Sequence, residues 1–225
     1  MKWLRLFSIV LCLWASSCKA FKKDKGQAVS KAHFDFSLDL YKSLQLAANT
    51  EDPKLLKDLV ISPYSVNVQL SMLFLGTSSS SNSSKQLRSL MHFDAISYVE
   101  IHNQFKSIIA NFAGNYYANI LTSGRRLYVN SDVTVAPPYD RALREFYRSQ
   151  IQHVDFHGTR TRDLINEFVR ENSGHVTLTE EFDGPGPESR LVAVDAVNLG
   201  AQWAFPFQEE NTFAKGLFFS PTNQR

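Results

Sequence analysis

Three residues alternate in a way that invites a metal-site reading: His153, Asp155 and His157. On a β-strand they would share one face, but the two imidazoles would stand roughly 13 Å apart, too far to hold one ion. They read instead as half-exposed strand residues. Nucleophilic chemistry has no better foothold. The chain contains no Gly-x-Ser-x-Gly elbow, no His-Glu-x-x-His pair and no phosphate-cradling glycine loop. The sequence therefore reads as a non-enzyme, with no catalytic residues, no metal and no cofactor expected.

Arg141, Arg144 and Arg148 fall on one face of an expected helix, with Arg125, Arg126 and Arg160 as further basic residues that could gather near it. Such a stripe could contact a polyanion such as a glycosaminoglycan. The interleaved Asp140 and Glu145 make a solvated helix face the simpler reading. The 225-residue chain has a formal charge of +2, with 44% hydrophobic and 20% charged positions. That is apolar enough for one domain with a sizeable core. Lys2, Arg5 and Lys19 sit in the first twenty residues, which carry no acids; without them, 21 basic residues face 22 acids. A nucleic-acid partner, which would demand a basic excess, is not expected.

The same twenty residues have the three-part layout of a secretory signal peptide. Lys2 and Arg5 precede the apolar run Leu6 to Ala15, and small residues follow, with Ser17 or Ala20 as the cleavage point. The run is too short to span a bilayer and no later stretch approaches eighteen apolar residues, so a membrane partner is not expected. Secretion into the extracellular space is the expectation. Both cysteines, Cys12 and Cys18, lie in or beside this segment. The remainder must then rely on its core rather than on disulfides. Asn82-Ser83-Ser84 is a glycosylation sequon, placed by the serine run in an accessible loop over Ser78 to Ser84.

The elements that must position these residues follow from periodicity. Residues 21–30 are polar and expected to fray. Lys31 to Ala48 reads as an amphipathic helix with Phe34, Leu38, Tyr41 and Leu44 in its apolar stripe. After a short β-like run at Leu59 to Ile61, Ser62 as N-cap and Pro63 at the first helical position open a helix that is apolar nearly all round and ends at Gly76. Further helices are expected over Lys85–Phe93, Ile96–Phe112, Tyr139–Ser149 and Arg162–Glu171. Strands are expected over Ile120–Asn130, Ile151–Phe156, Leu191–Leu199 and Thr212–Ser220, with a loop at Asp183–Pro187. Leu191 to Leu199 is apolar apart from Asp195 and Asn198, as expected of a strand covered on both faces. Helices first and strands later indicate an α+β domain without internal repeat or linker.

Several strings in this order resemble the serpin family. Ile61-Ser62-Pro63-Tyr64-Ser65-Val66, continued by Leu70-Ser71-Met72-Leu73-Phe74-Leu75-Gly76-Thr77, is similar to the family's buried second helix. Phe34 to Leu44 resembles its first helix. Ile165-Asn166-Glu167-Phe168-Val169 with Gly174-His175-Val176 resembles the helix that crosses the main sheet. Val194-Asp195-Ala196 and Trp203-Ala204-Phe205-Pro206-Phe207 with Thr212 are similar in spacing to the strand and turn beyond it. The resemblance covers about residues 31 to 220.

The resemblance implies helices packed on a large mixed or antiparallel central sheet, incomplete here. It also implies a secreted inhibitor of an extracellular serine, sometimes cysteine, protease. In that mechanism the protease cleaves an exposed reactive loop, forms an acyl-enzyme, and is carried across the sheet as the loop inserts as a new strand. Ser62 and Ser65 would lie in the shutter under the opening point and Trp203 at the breach where insertion begins. Asp195 stands where the family usually has Asn, so it needs a proton or a strong partner. The chain is read as the amino-terminal portion of one serpin domain from residue 31, ending at Arg225 before the reactive loop and its specificity residue. The helix at Ile96–Phe112 has only Lys106 as a base, opposed by Glu100, so heparin-type activation is not expected. A non-inhibitory binding, carrier or chaperone protein, or an inactive truncated isoform, is the competing expectation.

Overall fold

The computed structural model describes residues 26–51, 59–114, 117–118, 120–158, 160–174, 182–186 and 188–212. The signal-like segment, both cysteines and nearly all of the strand expected over Thr212–Ser220 lie outside these residues. In chain order the elements are α1 (Gly26–Glu51), α2 (Pro63–Leu75), α3 (Asn82–Leu90), α4 (Tyr98–Phe112), β1 (Leu121–Asn130), α5 (Pro137–Tyr147), β2 (Gln150–Val154), α6 (Arg160–Asn172) and β3 (Leu191–Leu199), with a 3-10 turn at Glu209–Asn211.

The three strands form one mixed sheet in the order β2-β1-β3. β2 runs parallel to β1, from Arg126 opposite Gln150 to Asn130 opposite Val154. β3 runs antiparallel to β1, from Leu121 opposite Leu199 to Val129 opposite Leu191. Alternation along β1 then sorts its side chains between two cores. Leu127 joins the cluster built with α1 to α5, around Val68, Met72, Phe74, Ile101, Phe105, Leu143 and Tyr147. Tyr128 joins a second cluster with Val154, Phe156, Ile165, Phe168 and Val194, under α6. β1 and β3 are therefore covered on both faces, as the near-continuous apolar sequence of β3 indicates.

Local signals explain the helix starts. Ser62 caps α2, its hydroxyl accepting the Ser65 N–H at 3.3 Å, with Pro63 beginning the first turn. Ser81 and Ser97 cap α3 and α4 in the same way. The expected loop over Ser78–Ser84 is corrected by this capping: Asn82 is the first residue of α3, exposed in its opening turn. A serine run looks like a loop, yet here the Ser81 hydroxyl accepts the Ser84 N–H at 3.1 Å and caps a helix that begins inside the run.

The apolar stripe expected on α1 is also corrected. Phe34, Leu38 and Tyr41 are 44%, 41% and 41% exposed, whereas Val29, Ala32 and Phe36 are buried with Leu40 beside them. At about 100° per residue the two sets lie on nearly opposite faces. Val29 decides between them, and it sits within the stretch expected to fray, which from Gly26 onward is helical. α5 starts at Pro137 rather than Tyr139 and ends at Tyr147, where Arg148 turns into the left-handed region at φ 52°.

Asn130 closes the end of β1: its side-chain oxygen accepts the N–H of Ser131 at 3.0 Å and of Phe156 at 3.2 Å. Removing it leaves a buried N–H without a partner, so Asn130→Ala should lower stability by about 2 kcal/mol in chemical denaturation. Asn130→Asp, which keeps the acceptor, should cost less.

Candidate functional site

The polar centre of the molecule lies between α2 and the inner face of β1 and β3. Arg125 and Asp195 are directly opposite in the register, so alternation brings both to the α2 side. Arg125 Nε donates to Asp195 Oδ2 at 3.2 Å, with the two side chains 5% and 1% exposed. The same guanidinium donates through Nη2 to Ser123 Oγ at 2.7 Å and to the Tyr64 hydroxyl at 3.4 Å, and stands 5.8 Å over the Tyr64 ring. Above it, Ser62 Oγ donates to Ser65 Oγ at 3.1 Å, and Gln69 Nε2 donates to the Ala193 carbonyl at 3.1 Å, tying α2 to β3.

Burial is the dominant influence on Asp195. It pushes the carboxyl up from 3.8 to about 6, against the opposing pull of Arg125. Oδ1 is buried and has no hydrogen-bond partner among the described residues. Burial likewise raises the Tyr64 hydroxyl to about 12. The strong partner required of a carboxylate at this position is thus present. Sequence reasoning missed it, placing Arg125 with the surface arginines. Its signal was a basic residue inside an otherwise strand-like run.

The other candidate residues disperse. Arg144 pairs with Asp140 at 3.0 Å within α5, and Lys106 of α4 pairs with Glu145 at 2.9 Å. Arg141, Arg148 and Arg160 are exposed. Arg125 does not join them, being turned under the sheet; Arg126, on the opposite face of β1, donates to Gln152 Oε1 at 2.9 Å and lies 4.4 Å over the Phe168 ring. His153, Asp155 and His157 are exposed, and Asp155 Oδ1 accepts the His157 N–H. No group of three or more His, Cys, Asp or Glu among the described residues could hold a metal. Trp203 is half-buried, edge-on to Phe207 at 6.1 Å, while Phe205 is 92% exposed. No helix among the described residues is long and apolar enough to cross a membrane.

The profile of the serpin (serine protease inhibitor) family matches residues 31–225. The chain belongs to the serpin family. Among curated relatives, this serpin is 26% identical over 202 residues to ovalbumin of Dromaius novaehollandiae, covering 82% of this chain and 50% of that protein. It is 28% identical over 189 residues to the leukocyte elastase inhibitor of Homo sapiens, covering 83% of this chain and 47% of that one. Among solved structures, emu ovalbumin superposes with a TM-score of 0.70 at 26% identity, over 83% of this chain and 50% of its own. Mouse protein-Z dependent protease inhibitor superposes at 0.71 with 19% identity, over 86% and 51%. Human thyroxine-binding globulin does so at 0.70 with 20% identity, over 83% and 48%. The serpin chain described here spans about half the length of these relatives, and among the described residues its sheet has three strands and is incomplete beside theirs.

Proposed function

We propose that this serpin is the sheet-bearing amino-terminal portion of a secreted inhibitor of an extracellular serine protease, or of a cysteine protease in the wider range of the family. The observation that carries the reading is the architecture under β3. Among the described residues β3 has one paired edge, toward β1, and α2 presents the small hydroxyls Ser62 and Ser65 beneath the sheet. Small hydroxyls can exchange hydrogen bonds as a strand enters above them without leaving a large buried group stranded. In this reading Ser62, Ser65 and Asp195 form the shutter and Trp203 the breach. Residues 1–20 direct secretion, and exposed Asn82 carries a glycan. Binding, not catalysis, is the role.

The buried Arg125–Asp195 pair favours a second reading, a non-inhibitory carrier, chaperone or other binding protein. It cross-links β1 and β3 where a mobile sheet would be served by neutral groups. The likeness to ovalbumin and to thyroxine-binding globulin supports it as well. The experiment is incubation of the full-length secreted protein with a panel of extracellular serine and cysteine proteases. The inhibitor reading expects a covalent complex that survives denaturing electrophoresis, at a mass near the sum of both proteins. Simple cleavage with the protease left active would assign the binding role.

A further inference from the structure

Asp183-Gly184 is the one place in the 225-residue sequence where Asp or Asn precedes Gly. Gly184 adopts φ 110°, a conformation that L side chains rarely take, and without a Cβ its nitrogen stands unshielded. Asp183 is exposed, and neither its carboxylate nor the Gly184 N–H has a hydrogen-bond partner among the described residues. The stretch is anchored on both sides. The Phe182 N–H donates to Asn166 Oδ1 at 3.0 Å and Asn166 Nδ2 donates to the Phe182 carbonyl at 2.9 Å, so one side chain of α6 clamps both polar groups of that residue. Downstream, the Arg190 carbonyl accepts the Asn130 N–H at 3.1 Å, and Leu191 opens β3 opposite Val129.

A carboxyl or amide side chain one residue before an open backbone nitrogen can close on it to a five-membered imide. The next candidates by sequence are the Asn-Ser pairs at Asn82, Asn130 and Asn172, and each is tied down. Asn82 opens α3, Asn130 Oδ1 already accepts the Ser131 N–H, and Asn172 Nδ2 donates to the Phe168 carbonyl. Asp183 combines the least hindered neighbour with an irregular backbone.

We propose that Asp183 is a spontaneous modification site, where closure of its side chain on the Gly184 nitrogen and reopening give isoaspartate and loosen the α6 clamp on Phe182. In the closing step the Gly184 nitrogen gives up its proton and bonds to Asp183 Cγ, and the Cγ–OH bond breaks with loss of one water. Water then adds to either carbonyl of the ring. Addition at Cγ restores aspartate. Addition at the main-chain carbonyl leaves the chain running through Cβ and Cγ, one methylene longer, with a free α-carboxylate. Nothing is oxidised or reduced, and the mass is unchanged. The added methylene falls between the Asn166 clamp and the start of β3, two points that the fold holds fixed.

The test ages the full-length protein for several weeks at body temperature and neutral pH, then digests it. Its peptides are methylated with a protein isoaspartate methyltransferase and labelled S-adenosylmethionine. The peptide carrying Asp183 should accept about tenfold more label than the same peptide from fresh protein, because glycine leaves the attacking nitrogen open. Asp183→Glu, an exposed change whose ring would need six members, should abolish that gain. Hydrogen exchange at the Phe182 amide should be faster in the aged protein than in the aged variant. Unchanged labelling of that peptide on ageing, equal labelling in Asp183→Glu, or unchanged exchange at Phe182 in isomerised protein would each overturn the proposal. None of these readouts depends on protease inhibition.

Discussion

Arg125→Met should destabilise the protein by about 3–5 kcal/mol at pH 8, the usual result of removing one partner of a buried ion pair. The loss comes from Asp195, left inside with no opposing charge and with Oδ1 already lacking a partner among the described residues. Two comparisons separate this cause from lost packing. Asp195 is held at about 6 with burial as the larger cause, so the neutral carboxyl is favoured in the fold even beside Arg125. Asp195→Asn strands the buried Arg125 guanidinium in its turn and should cost a similar amount, whereas Arg125→Met combined with Asp195→Asn should cost clearly less than either change alone at pH 8. The pH dependence follows from the same value. A carboxyl raised in the folded state holds its proton more tightly there than in the unfolded chain, so it adds stability as pH falls from above 6 toward 3.8. The deficit of Arg125→Met should accordingly shrink between pH 8 and pH 5 in urea melts. A deficit that stays constant over that range would show that the pair acts through packing alone.

His102 should produce the opposite response to acid. It is buried among the rings of Phe74, Tyr98, Phe146 and Tyr147, with centroids 4.4 to 6.0 Å away. Its Nδ1 shares a hydrogen bond with the Tyr147 hydroxyl, while Nε2 has no partner among the described residues. Burial lowers the imidazole from 6.5 to about 4 and raises the Tyr147 hydroxyl well above its ordinary value. A lowered histidine contributes stability in full above 6.5, and loses it as pH falls through 6.5 toward 4, when the unfolded chain takes up the proton first. Between those limits the loss amounts to about 3 kcal/mol from this one group. His33, half-buried and also lowered to about 4 by desolvation, adds a loss of the same sign. His102→Gln should lower stability at pH 7.5, where the ring packing is lost, and flatten the acid limb between pH 6.5 and 4. An acid limb of unchanged slope in the variant would remove His102 as its source.

How much of this could be read from the residues depends on the distance over which each feature is decided. α2 was legible throughout, because Ser62, Pro63 and Gly76 are start and stop signals within one turn of its ends. The covered strand β3 was legible from its composition, since a run with only Asp195 and Asn198 interrupting leaves neither face for water. The buried face of α1 was not, because two apolar stripes compete on that helix and only packing against α2 selects between them. The Arg125–Asp195 pair lay beyond local reading as well. Its partners are seventy positions apart and meet only through the antiparallel register of β1 and β3. Asp195 was recognisable as a residue in need of a partner, and nothing near it in sequence named which residue that is.

The strand order has a consequence for how the chain is made. β1, the middle strand, leaves the ribosome first, and its neighbours β2 and β3 emerge afterwards on either side. β2 can dock soon after α5, but Val129 must wait for Leu191, about sixty residues later. At roughly 5–20 residues per second that is several seconds during which a central strand, whose Leu127, Tyr128 and Val129 are all buried in the fold, has one unprotected edge. The interval is long beside the microsecond scale of helix and hairpin formation. Nascent chains of this protein therefore need either rapid cover from α6 or a chaperone on β1 while synthesis continues.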